Sequence, residues 1–330
     1  MKSILAALAL LVATTAACAD AQPETSAASP AMISAPQAPA SLETFTSDSA
    51  GFDTHSFWLD TGREVVVFDA QFTQDLARKL IAEIQAKTKS PIRFVVVTHP
   101  NPDKFNGAPA FQALGAKVVA SEATAKAIPG VHAYKKGYFV NVARSFTEAT
   151  YPPQVSVDIT FNGDLELPLA GATKVKLHEL AHPGVSTTQT VAILPQQNAL
   201  LVGDLVHHEA HAWLEGGIAD GKPAPDLAAW KSALGELLAY EGATVHGGRG
   251  TAASVEIAVK DQQAYLDRME ALITRYVADL GAAKTELSGP QAGEHYKAIA
   301  ALAAREFPDH ALSYLVEYGA YGLINQIAAR

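Results

Sequence analysis

The sequence predicts an α/β fold in which strands are covered by helices on both outer faces. Two observations carry this. Short β-branched runs alternate with stretches whose apolar residues recur at helical spacing through the first half, and a series of strand signals followed by three long amphipathic helices fills the second. Of 330 residues, 48% are hydrophobic and 18% charged, which is enough apolar material for a large core and too little charge for a disordered chain.

The order of elements begins with a targeting segment. Lys2, the apolar stretch Ile4 to Ala13 and the small residues Thr14 to Ala17 have the charge, core and small-residue order of a secretory signal, assigned to residues 1–18 and excluded from the fold. The only cysteine, Cys18, follows Thr15-Ala16-Ala17, which resembles a bacterial lipobox with Thr15 where a larger aliphatic residue is usual. Two readings stand side by side: a membrane tether through lipidated Cys18, or cleavage near it to release a periplasmic protein. Residues 19–44, rich in Ala, Pro and Ser, read as a flexible tether, and no comparable stretch divides residues 45–330, so these read as one domain with a C-terminal helical extension. A lone cysteine excludes an internal disulfide framework.

Val65-Val66-Val67-Phe68 reads as a strand, and Leu76, Leu80, Ile81 and Ile84 mark the helix that follows. Phe94 to Val97 is a second strand, followed by a loop with Pro100, Pro102 and Asn106-Gly107 and a short helix from Pro109 to Leu114 that Gly115 closes. Lys117 to Ala120 is the next strand, and Ser121 caps a helix expected to end at Pro129-Gly130. Strand signals then fall around Val155–Phe161, Lys174–Leu180, Thr190–Leu194 and Leu200–Val202. Helices follow over about Pro225–Tyr240, Ser254–Leu280 and Ala292–Arg305.

Lys and Arg total 25 against 34 Asp and Glu, a formal charge of −9, which argues against a nucleic-acid partner; a small-molecule substrate is the expected partner. Beyond the N-terminus the longest apolar runs fall far short of the roughly 20 residues a membrane helix needs.

The chemistry collects at strand ends. His99 lies just beyond the Phe94 to Thr98 strand, where α/β proteins place their ligands. It opens the loop His99-Pro100-Asn101-Pro102-Asp103-Lys104, and Leu180-Ala181-His182-Pro183-Gly184, Leu201-Val202-Gly203-Asp204 and Thr244-Val245-His246-Gly247-Gly248 follow in order. These four motifs resemble the metal-binding loops of the metallo-β-lactamase superfamily, over about Phe57 to Gly250. The resemblance implies a four-layer αββα sandwich, a site along one edge of two sheets, and hydrolysis of an ester, thioester, lactone or amide by a metal-activated water. It also implies Zn2+ ligands at His99, Asn101, Asp103, His182, Asp204 and His246. Imidazole nitrogen and carboxylate oxygen suit zinc on chemical grounds too.

The first loop departs from the family's His-x-His-x-Asp-His pattern. Asn101 offers only a neutral amide oxygen, and Lys104 is an ammonium without a lone pair. Beside Asp103 and Asp204 it would balance charge that a second cation normally balances, so the expectation is one zinc at most, with a metal-free form open. Asp103, which would orient or deprotonate water, and Lys104, which would stabilise an oxyanion, are the candidate catalytic residues. The rival reading is a catalytically degenerate member that binds a ligand or partner in the old cleft. His207, His208 and His211 read as solvent-facing, while His211-Ala212-Trp213-Leu214 also resembles a segment that borders the cleft in related sequences, and Tyr134-Lys135-Lys136 reads as a basic turn. Tyr314, Tyr318 and Tyr321 read as core or dimer contacts.

Overall fold

The computed structural model describes residues 40–330. The signal segment 1–18 with Cys18, and the tether up to residue 39, lie outside the described residues. The last tether residues are already folded: β1 (Ser41–Thr46) pairs antiparallel with β2 (His55–Asp60), so the body starts a few residues before the expected boundary at 45.

The first sheet runs in the order β1, β2, β3 (Val65–Phe68), β4 (Ile92–Val96), β5 (Lys117–Ser121), β6 (Ile159–Phe161), with β3 to β6 parallel. Its crossovers are α1 (Gln74–Lys87), α2 (Pro102–Phe105) with α3 (Ala108–Gln112), and α4 (Glu122–Gly137). The second sheet takes β7 (Asp164–Glu166), β8 (Lys176–Glu179), β9 (Thr190–Leu194), β10 (Ala199–Leu201), β14 (Thr244–His246) and β16 (Ala253–Ser254), paired in that order. Between β10 and β14 come β11 (His207–His208), the hairpin β12 (Gly217–Ala219) and β13 (Lys222–Ala224), and α5 (Leu227–Glu236); β15 (Arg249–Gly250) pairs with β11. The chain closes with α6 (Val255–Leu280), α7 (Ala292–Glu306), α8 (Tyr314–Gly319) and α9 (Tyr321–Ala328).

Strand periodicity produces the layers. Val65, Val67, Val95 and Val97 face the core shared with Leu80 and Ile84 of α1 and Ile128 of α4, while Val66, Phe68, Phe94 and Val96 face the opposite way. There they meet Leu177, Ala192, Leu194 and Leu201 of the second sheet, and the other face of that sheet, Val191, Leu200 and Val245, packs on Trp230, Leu234, Leu266 and Met269 of α5 and α6. Successive residues therefore serve different cores, and the order helix, sheet, sheet, helix follows.

The helix end expected at Pro129-Gly130 moves. Pro129 does not end its helix: α4 continues to Gly137, because Val131, His132 and Lys135 beyond it are all buried on the same face. Tyr134-Lys135-Lys136 is accordingly helical rather than a turn. Its middle residue is inside, ion-paired to Glu215.

Candidate functional site

The site is built where β3, β4, β10 and β14 end on the same edge. β4 runs out through Val97 and Thr98 to His99, whose ring is fully buried. Asp69, just past β3, takes the left-handed conformation (φ 65°) and accepts hydrogen bonds from the Thr98 amide (2.9 Å) and hydroxyl (2.9 and 3.0 Å), fixing the start of the His99 loop. Past β10 the chain turns at Gly203, at φ 51°, where a Cβ would stand 2.3 Å from Thr98 Oγ1, so only glycine lets the two loops meet. The next residue, Asp204, is thereby brought against the first loop.

Four charged side chains meet there and close on one another. Lys104 Nζ lies 2.9 Å from Asp103 Oδ2 and 2.8 Å from Asp204 Oδ1. Arg249 donates through one terminal nitrogen to Asp204 Oδ2 (2.7 Å) and through the other to Asp103 Oδ2 (3.0 Å) and Thr54 Oγ1 (2.8 Å). Its Nε donates to the Phe52 carbonyl at 2.7 Å. Gly248 makes this approach possible, since a Cβ there would fall 2.0 Å from Asp204 Oδ1. All four residues are at most 6% exposed.

Their protonation follows from the pairing. Burial alone would raise the Asp103 pKa, but Lys104 and Arg249 outweigh it and hold the carboxyl at about 2. Asp204 is also held well below the ordinary range, against burial, by Arg249 and Lys104. Burial works to lower Lys104 and Arg249 as well, and the two carboxylates overcome it and raise both. The tetrad is two anions and two cations at neutral pH. Asp69, buried without a cation in contact, is pushed up to about 6 by desolvation.

The expected ligands divide. His99, Asp103 and Asp204 stand together: His99 Nε2 is 3.7 Å from Asp204 Oδ2, and its Nδ1 is 3.0 Å from Thr98 Oγ1. Asn101 lines the same cleft. His182 and His246 are engaged elsewhere. The His182 ring is half exposed, with Nδ1 2.8 Å from Glu236 Oε1, and Glu236 also accepts the His182 and Ala181 amides. His246 packs edge-on against Phe57 at 5.5 Å between ring centroids.

Zinc, which members of such a family commonly bind, does not fit this donor set. Both carboxylates are already occupied by cations, Lys104 has no lone pair to give, and among the described residues no group of three His, Cys, Asp or Glu side chains is placed to hold a metal ion. Of the six residues expected to hold zinc, His99, Asn101, Asp103 and Asp204 meet at this edge with an ammonium and a guanidinium among the carboxylates, while His182 and His246 are turned to other partners.

Other histidine expectations also change. His207 and His211 are buried rather than solvent-facing, and His207, lowered to about 3 by burial, lies 3.9 Å from Asp204 Oδ1 behind the tetrad. Tyr321 reaches Glu215, and Trp213 does form cleft wall.

In front of the tetrad opens a narrow cleft, open to solvent on one side and lined by Phe52, Phe72, Phe139 and Trp213 together with Asn101, Asp103 and Arg249. The residue that sequence reasoning missed is Arg249. A signal existed: once Lys104 replaces an imidazole beside two buried carboxylates, one cation is still lacking, and Arg249 stands just after Gly247-Gly248 in the last loop.

A two-sheet sandwich with helices outside and its polar cluster at the strand ends is the architecture of the metallo-hydrolases to which the four loops pointed. The chain belongs to the metallo-beta-lactamase superfamily, whose family model matches residues 50–249. Among solved structures it is similar to a metallo-beta-lactamase from Pontibacter korlensis, at 23% identity and a TM-score of 0.53, over 69% of this chain and 94% of that one. It is also similar to the DIM-1 metallo-beta-lactamase in a crystal exposed to ceftazidime, at 16% identity and a TM-score of 0.51, over 69% and 93%. At these identities the likeness is one of fold. None of the curated proteins matches the chain.

Proposed function

We propose that this chain is a metal-independent member of the superfamily that binds a small molecule in its cleft. The observation that carries the reading is the closed tetrad of Asp103, Lys104, Asp204 and Arg249. A hydrolase of this family needs carboxylates with free lone pairs; here both are engaged by cations of this chain. Asp103, held at about 2, is a poor base for water at neutral pH. Lys104 is fully buried and donates to two carboxylates, so its ammonium is not presented to an oxyanion in the cleft. What the tetrad offers is a rigid, electrically balanced floor beneath four aromatic rings.

The second reading is hydrolysis of an ester, thioester, lactone or amide by zinc-activated water, and family membership favours it. Protein purified without added metal separates the two. The expected result is far less than one equivalent of zinc per chain, a melting temperature unmoved by chelator, and no chelator-sensitive turnover of chromogenic ester, thioester, lactone or cephalosporin substrates. One tightly held zinc with chelator-sensitive turnover overturns the binding reading.

The envelope location is part of the same proposal, supported by the charge, apolar core and small residues that precede Cys18. Fractionation tests it: membrane association lost in Cys18→Ser indicates the lipid tether, release into the periplasm indicates plain cleavage, and retention in the cytoplasm rejects export.

A further inference from the structure

Resting on the binding reading, the structure assigns a ligand class to the cleft: an uncharged, planar aromatic molecule carrying an amide-like edge, with a hydrogen-bond donor and acceptor side by side. Three observations lead there. The first is the wall. Phe52, Phe72, Phe139 and Trp213 hold one another in place, with centroids 5.2 Å apart for Phe52 and Phe72, 5.1 Å for Phe72 and Phe139, and 5.7 Å for Phe52 and Trp213. Rings so fixed offer faces and edges to another ring at little entropic cost.

The second is the charge balance. Each cation lining the cleft has its anion. Arg249 is spent on Asp103 and Asp204, and Lys135 is ion-paired to Glu215, which also accepts from Trp213 Nε1 at 2.8 Å. An anionic ligand would have to break one of these buried pairs, and a cationic one would find both carboxylates occupied.

The third is Asn101. Only 8% exposed, it lines the cleft, and among the described residues its carboxamide makes no hydrogen bond. The carboxamide is therefore turned to the cleft and open to a ligand. Its oxygen accepts and its nitrogen donates, so its best partner presents the reverse pair on one edge, as a primary amide, lactam or aminopyridine-type ring does.

The test titrates the full chain with benzamide, benzoate and benzylamine, followed by Trp fluorescence and by ligand-observed NMR. Benzamide is expected to bind at least about tenfold more tightly than either charged probe, and Asn101→Leu to weaken it about tenfold. Benzoate or benzylamine matching benzamide overturns the ligand class while leaving the binding reading intact, and so does indifference of benzamide to Asn101→Leu in a chain that keeps its native melting temperature. The charge series on the native chain decides the point even where the variant does not fold. If no probe of any charge binds, the binding reading itself falls.

Discussion

The first loop and the Asp204 turn, joined by Arg249 from the last loop, put charged side chains inside; His182 of the third-histidine loop and His246 at the end of β14 do not join them. Asp103, Lys104, Asp204 and Arg249 are buried with each carboxylate within 3.0 Å of both cations, whereas His182 reaches out to Glu236 and His246 lies on the Phe57 ring. All four segments have the strand-end position the family uses. The difference teaches that backbone placement and side-chain convergence are separate properties: opposite charges draw one another inward, while each imidazole follows the partner its own surroundings offer, the edge of the tetrad for His99 and His207, a carboxylate for His182 and an aromatic ring for His246.

The sharpest way to break this comparison is to remove one cation. Lys104→Met leaves Asp103 and Asp204 buried with half their compensation, and losing one partner of a buried ion network costs about 3–5 kcal/mol. Urea unfolding of the variant is expected to show that loss, and Arg249→Met a similar one. A change under about 1 kcal/mol would mean that the tetrad is not what holds the two loops together.

Next in size is Asp69, the carboxylate at this edge with no cation in contact. Its pKa in the fold, about 6, lies above the ordinary 3.8, so the fold favours its protonated form. The stability this group contributes is present below about pH 4 and lost as pH rises through 6, amounting to about 3 kcal/mol at neutral pH. An asparagine side chain at this position would tolerate the left-handed backbone and carry no charge. Asp69→Asn is therefore expected to raise stability at pH 7 and to flatten the decline between pH 4 and 6, read as the urea midpoint across that range. An unchanged pH profile would remove desolvation of Asp69 as its cause.

Asp103 runs the opposite way. Its pKa falls from 3.8 to about 2 on folding, so its contribution is complete above about pH 4 and disappears as pH falls toward 2, a loss of about 2 kcal/mol. Acid unfolding near pH 3 is expected to be shallower in Asp103→Asn, whatever that variant's stability at neutral pH. An equally steep acid limb would assign the acid sensitivity to other carboxylates.

Much of this was legible in the sequence, for identifiable reasons. The run Phe94 to Val97 and the run Val65 to Phe68 are apolar at every position because both faces of their sheet are covered, and a signal that strong survives without context. The Gly203-Asp204 turn and the order of the four loops were equally plain. The direction of His182 was not, because its partner Glu236 sits 54 residues away on α5 and no local pattern links them. Arg249 was passed over because guanidinium is not a metal ligand; charge balance in a buried site finds it, and spacing does not. Pro129 misled because a breaker's cost was weighed without the burial of Val131 and Lys135 beyond it.

The smallest expected effect is the one most diagnostic of the comparison. His182 is half exposed and its contact with Glu236 is open to water, where such pairs contribute little. His182→Ala is expected to shift stability by no more than about 0.5 kcal/mol and to leave benzamide binding unchanged. In a zinc enzyme built on these loops the same substitution would remove a ligand and lower both metal content and turnover. A His182→Ala protein that loses bound zinc or destabilises as much as Lys104→Met would place this imidazole in the cleft in solution, and the separation of the loops into charged-inward and histidine-outward pairs would fail.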